Sequence, residues 1–122
     1  MVLNVTDLAR SLAFYRDVLG LEVDRRRDDL RMIHMRAGSS LVDLQEVDMR
    51  VRSHDDRSEP TVTHNLDHLC LKIADFDAEA ARAELVEMGI SVSEIDVRYG
   101  ASGHGQSLYL QDPDGNGLEL RG

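Results

Sequence analysis

The feature that most constrains this chain is an internal repeat. The opening stretch "MVLNVTDLARSLAFYRDVLGLEV" and the later stretch "DHLCLKIADFDAEAARAELVEMGISV" are two versions of one pattern. Setting "VLNVTDL" over "CLKIADF" pairs Leu3 with Leu71 and Asp7 with Asp75, a shift of 68 residues. Both copies begin with apolar residues at every second position, Leu3 and Val5 in the first and Leu69, Leu71 and Ile73 in the second. That is the period of a strand with one covered face.

Each strand then runs into a helix. Thr6-Asp7 supplies a cap for a stripe of Leu8, Leu12, Tyr15, Val18 and Leu19 that Gly20 terminates. In the second copy Asp77 caps Ala78, Ala81, Leu85 and Met88, and Gly89 closes the helix. Each copy ends in strands. "RMIHMRAGSSLVDLQ" matches "SLYLQDPDGNGLELR", with Ala37-Gly38-Ser39-Ser40 in the place of the turn-forming run Asp112 to Gly117. Aligning "LVDL" with "GLEL" pairs Asp43 with Glu119, each a lone carboxylate that leaves the face its apolar neighbours pack.

The expected fold is therefore α+β: two βαβββ modules whose strands form one curved mixed sheet, with helices on the outer face and a concavity inside. Module 1 covers 1–52 and module 2 covers 65–122. The polar, aperiodic stretch 53–64 links them within a single domain. At 122 residues the chain can bury a core without disulfides or a structural metal.

Charge narrows the partners. A net charge of −9 and a pI near 4.9 exclude nucleic acid and an anionic membrane, which call for clustered Lys and Arg. Arg25-Arg26-Arg27 is followed at once by Asp28-Asp29 and reads as a solvated strand end. One cysteine, Cys70, fits a reducing compartment. No apolar run approaches the roughly 20 residues of a membrane span, and no secretory signal opens the chain, so the expectation is a cytoplasmic protein.

Three motifs, "VTDLARSLAFYRDVLGL", "LDHLCLKI" and "RYGASGHGQSLYLQDPDGNGLEL", together with the duplication itself, resemble the vicinal oxygen chelate superfamily of glyoxalases, bleomycin-resistance proteins and extradiol dioxygenases. The resemblance spans essentially the whole chain. It implies a metal site made from a His on the first strand of each module and a Glu on the last. Carried over position by position, these are His68 and Glu119 in module 2 and Asp43 in module 1. The first-module His position falls ahead of Met1, so the remaining place is left to water, to His34 or to a residue upstream.

Taken alone, a His at a strand start is ordinarily a capping or surface residue. The repeat alters that reading, because equivalent places in two modules bring Asp43, His68 and Glu119 toward one concavity, where unpaired carboxylates are costly without a cation. A His with carboxylates suits a divalent Zn, Ni, Mn or Fe ion. Glu119 is then also the group that moves a proton, and Tyr109, His34, Arg98 and His104 are the candidate substrate-binding residues. Cys70, on the side of His68, reads as a structural thiol.

The resemblance implies a metal-dependent glyoxalase-like lyase or isomerase acting on a small oxygenated or carbonyl substrate, as a homodimer. The alternatives are a metal-free small-molecule binder of the bleomycin-resistance type, disfavoured by an aromatic content of 4% without Trp, and a ring-cleaving dioxygenase. A fosfomycin-type transferase ranks last, with only Lys72 and Arg98 as basic candidates.

Overall fold

The computed structural model describes residues 1–48 and 66–122. The linker expected over 53–64 lies outside them. The chain divides into two compact units between Asn65 and Leu66, and each repeats one topology.

In unit 1, β1 (Val2–Val5) leads into α1 (Leu8–Ala13), then β2 (Glu22–Arg27), β3 (Met32–Ala37) and β4 (Ser40–Glu46). The four strands form one sheet in the order β1-β4-β3-β2, with β1 parallel to β4 and the other pairs antiparallel. The expected cap is present: Asp7 accepts from the Arg10 backbone N–H at 2.9 Å. Leu3, Val5, Ile33, Met35, Val42 and Leu44 form the buried face, and Leu12 and Tyr15 are buried with them.

The helical stripe departs from expectation at its end. Phe14–Val18 forms a π-turn rather than a continued α-helix. One more residue per turn shifts the phase of the helix. Phe14 and Tyr15 are therefore both buried, whereas Val18 and Leu19 are only half-buried.

In unit 2, β5 (His68–Lys72) leads into α2 (Ala78–Glu87), then β6 (Asp96–Gly100), β7 (Gly103–Gln111) and β8 (Gly117–Arg121), in the sheet order β5-β8-β7-β6. The βαβββ modules are thus present, each with its own four-stranded mixed sheet. Asp77 caps α2 through the Ala80 N–H at 3.0 Å. Ala78 and Leu85 are buried, but Met88 is 53% exposed, because α2 ends one residue before it.

The turn from Asp112 to Gly117 is held by one side chain: Asp112 accepts from the backbone N–H groups of Asp114 and Asn116 at 2.9 and 2.8 Å. The run "RYGASGHGQS", rich in glycine, forms the β6–β7 hairpin. Its glycines stand where an arginine crosses the sheet, as described below.

The registers show how the duplication maps onto structure. Asp43 lies between Val2 and His34, and Glu119 lies between Cys70 and Tyr109. The two carboxylates occupy equivalent places, as the sequence alignment expects. Among the described residues no helix is long and apolar enough to cross a membrane.

Candidate functional site

Strand alternation gives each sheet one apolar and one polar face. On β8, Leu118 and Leu120 enter the core of unit 2 while Glu119 and Arg121 point the other way. The parallel register places His68 and Cys70 of β5 on the face of Glu119, and the antiparallel register adds Ser107 and Tyr109 of β7.

Glu119 is the centre of this face and is only 6% exposed. Ser107 Oγ donates to its Oε1 at 2.5 Å, and His68 Nε2 lies 3.1 Å from its Oε2. The Cys70 thiol also hydrogen-bonds to Glu119. Burial pushes the Glu119 carboxyl up, but the bonds from Ser107, Cys70 and His68 together outweigh it and hold the group below the usual carboxylate range.

His68 is fixed at both nitrogens. Its Nδ1 meets Asp67 Oδ1 at 2.6 Å while Nε2 faces Glu119. The Asp67 bond is the main influence and, with Glu119 and against the pull of burial, raises the imidazole above its ordinary value. Tyr109 packs edge-on against the ring, with centroids 5.4 Å apart. Asp67, His68, Glu119 and Ser107 thus form one continuous hydrogen-bonded chain. The Cys70 thiol is pushed up by desolvation and by Glu119, which disfavours a nucleophile, but the residue is exposed rather than the buried structural thiol expected.

Unit 1 holds a second His–carboxylate pair. His34 Nδ1 lies 2.6 Å from Asp43 Oδ1, both part-buried on the polar face. A groove of about 630 Å³ in this unit lies elsewhere, between the start of α1 and Arg26 and Glu46. Among the described residues no three His, Cys, Asp or Glu side chains form a group that could hold a metal ion. His68 and Glu119 make a two-donor set, and Asp43 is engaged by His34 within its own unit.

The remaining candidates divide. Tyr109 belongs to the Glu119 face. Arg98 shares that face by register with Gly105, but it is exposed on an edge strand and paired with Asp96 at 2.6 Å. His104 falls on the opposite face of β7 and packs against Tyr99 at 5.3 Å. Its place in β7, one residue out of step with Gly105, Ser107 and Tyr109, accounts for the difference.

Sequence reasoning missed Ser107 and Arg121. Period two supplies the signal for both: Ser107 precedes Tyr109 by two, and Arg121 follows Glu119 by two.

The family model for the Glyoxalase/Bleomycin resistance protein/Dioxygenase superfamily matches residues 1–120. Virulence protein STM3117 of Salmonella typhimurium is 29% identical over 121 residues, which cover 98% of this chain and 79% of that protein. Its crystal structure aligns with a TM-score of 0.74 at 26% identity over 98% of this chain and 90% of that one. A catechol-2,3-dioxygenase of Bacillus subtilis is 32% identical over 97% of this chain, which spans 38% of that protein. The structure of lactoylglutathione lyase from Agrobacterium tumefaciens aligns with a TM-score of 0.68 at 25% identity, covering 99% of this chain and 89% of that one.

Proposed function

Because this chain belongs to the Glyoxalase/Bleomycin resistance protein/Dioxygenase superfamily, we propose that it is a metal-dependent, glyoxalase-like lyase or isomerase acting on a small oxygenated or carbonyl substrate. His68 Nε2 and Glu119 Oε2 would hold the divalent ion. Two donors of a suitable kind support this: an imidazole nitrogen and a carboxylate oxygen face each other, and the outer atom of each is already anchored, Nδ1 by Asp67 and Oε1 by Ser107, although among the described residues no third such side chain joins them. Anchoring of this kind orients a ligand and tunes its basicity. Zn, Ni, Mn and Fe suit such a set.

Bound there, the ion supplies Lewis acidity that stabilises negative charge on substrate oxygens. The chain's own residues do the rest. Ser107 occupies Oε1, so Oε2 is the one oxygen presented, and Glu119 would take and return a proton there only while that oxygen is not holding the ion. Tyr109, on the same face, offers a hydroxyl to the substrate.

The observation that supports this reading best is the His68–Glu119 contact inside an already anchored chain of hydrogen bonds. Elemental analysis of protein purified without chelator tests it. The expected result is a stoichiometric divalent metal in the parent protein that is lost in H68Q and E119Q. Failure to retain Zn, Ni, Mn or Fe in any preparation, including metal-supplemented ones, overturns it.

One observation favours a second reading, a metal-free small-molecule binder. His68 and Glu119 satisfy each other, and among the described residues no buried side-chain N or O atom lacks a partner. Ligand-induced thermal shifts that persist in EDTA would support that reading. A ring-cleaving dioxygenase is a third reading, suggested by the Bacillus subtilis relative, of which this chain spans little more than a third.

A further inference from the structure

The polar face of unit 2 continues one step beyond Glu119, and there its sign reverses. Lys72 of β5 stands directly opposite Arg121 of β8 in the register. Like charges in that relation repel, and among the described residues neither pairs with an Asp or Glu side chain. Lys72 Nζ donates to Ser102 Oγ at 2.8 Å. Arg121 donates from Nη2 to the Gly103 carbonyl at 2.9 Å and, at a long 3.4 Å, from Nε to Gly122 O. Glu119, two residues back along β8, is already engaged by Ser107, Cys70 and His68.

Arg121 is 5% exposed, and a guanidinium taken from water without an Asp or Glu partner is costly. The backbone is cleared to admit it. A Cβ at Gly100 would lie 2.0 Å from Nη1, and one at Gly105 would lie 3.0 Å from Nη2. Both glycines belong to the β6–β7 hairpin, on the face that carries Glu119. Nη1 makes no hydrogen bond among the described residues, yet no fully buried side-chain nitrogen is without a partner, so Nη1 keeps an edge open to solvent. A buried, cradled cation with one open N–H edge, faced by a second cation, is suited to receive an anion.

We propose that Arg121 and Lys72 form an oxyanion subsite, which binds a carboxylate or phosphate group on the substrate at a distance from the atoms that Glu119 serves. Glu119 and Arg121 are two positions apart on β8, about 7 Å along the strand, and the guanidinium reaches further away, to the β6–β7 hairpin. The anionic group is therefore a handle distinct from the oxygens that meet His68 and Glu119. The substrate class becomes a small carbonyl or hydroxy compound with an anionic tail. This deepens the proposed function and rests on it for the reacting end of the substrate; capture of the anion itself needs no metal. Since the chain carries −9 overall, its long-range field repels anions. The affinity must come from charge-assisted hydrogen bonds at contact range.

Calorimetric titration at low ionic strength in EDTA, with inorganic phosphate and succinate as probes, tests the subsite. The parent protein should bind at least one probe saturably at one site per chain. R121Q should weaken it by about tenfold, the scale of one charge-assisted bond, and the exposed K72Q should weaken it to a lesser degree. R36Q, which removes a cation paired with Asp24 in unit 1, should leave it unchanged. Circular dichroism identifies an R121Q protein that has lost its fold, in which case K72Q alone decides. Preference for succinate or for phosphate assigns the tail as carboxylate or phosphate. No saturable binding to the parent, or affinity in both R121Q and K72Q equal to the parent's, overturns the proposal. Anion binding without metal retention sustains the subsite while the metal reading falls, and metal retention without anion binding does the reverse.

Discussion

Ser107 Oγ donates to Glu119 Oε1 at 2.5 Å, so the carboxylate at the centre of the unit 2 face presents only its other oxygen, the one that His68 meets at 3.1 Å. A serine that is itself fully buried thus decides which atom of Glu119 is available for chemistry.

Removing that serine has a defined cost. Ser107→Ala should destabilise the protein by about 1–3 kcal/mol, because a buried ionised group loses a hydrogen bond that no water replaces. It should also raise the Glu119 carboxyl toward or above its ordinary range, since burial then has less to oppose it. Urea unfolding at neutral pH measures the first effect, and infrared detection of the protonated carboxyl as pH is lowered measures the second.

His68 should titrate above its ordinary 6.5 in metal-free protein, and Asp67→Asn should lower it, because the Asp67 bond is the main cause of the shift. The linkage follows from the direction. A raised histidine contributes stability that is fully present below 6.5 and lost as pH rises through its folded value. Glu119, held below its ordinary 4.5, contributes stability that is present above 4.5 and lost as pH falls through its folded value. The two contributions coincide between these values. NMR titration of the imidazole protons reads His68 directly; a value at or below 6.5 in the parent protein would contradict the arrangement.

The His34–Asp43 pair should behave as a coupled unit. Both side chains are less than a quarter exposed, at 21% and 17%, so His34→Ala leaves a half-desolvated carboxylate and should cost about 1–3 kcal/mol. The double change His34→Ala with Asp43→Ala should cost less than the sum of the single changes. A double-mutant cycle by chemical unfolding supplies the comparison, and strict additivity would show that the pair does no energetic work.

Gly100→Ala should displace the Arg121 guanidinium, since the added carbon would lie 2.0 Å from Nη1. Loss of the bond to the Gly103 carbonyl should cost on the order of 1 kcal/mol. Gly105→Ala, with a nearest approach of 3.0 Å, should perturb less. Thermal melts of the two variants, read beside their phosphate and succinate titrations, rank the two glycines.

Much of this architecture is legible in the residues. The duplication gives the order of elements, Asp7 and Asp77 mark both helix starts, and the alternation in "LVDL" and "GLEL" sends Asp43 and Glu119 to the polar faces. The His34–Asp43 pair was also within reach. Counting outward from the two-residue turn Gly38-Ser39 pairs Ala37 with Ser40 and, three steps on, His34 with Asp43. What the residues do not disclose is context from distant chain. The glycines of "RYGASGHGQS" suggest an irregular loop until Arg121 is known to lie across two of them. The π-turn is hidden for a related reason: an inserted residue changes the phase of a helix without changing its composition, so Val18 and Leu19 look as apolar as Phe14 and Tyr15 while packing less deeply.

Strand β8 alternates Leu118, Glu119, Leu120 and Arg121, so neighbouring letters serve the interior and the chemistry in turn. A slip of one position against β5 or β7 would drive a carboxylate and a guanidinium into the hydrocarbon layer and lift two leucines into the working face. No half-correct pairing of this strand is both foldable and competent. Proofreading of the chemistry is thereby delegated to assembly: a molecule that completes its sheet has, in the same event, mounted its reactive groups.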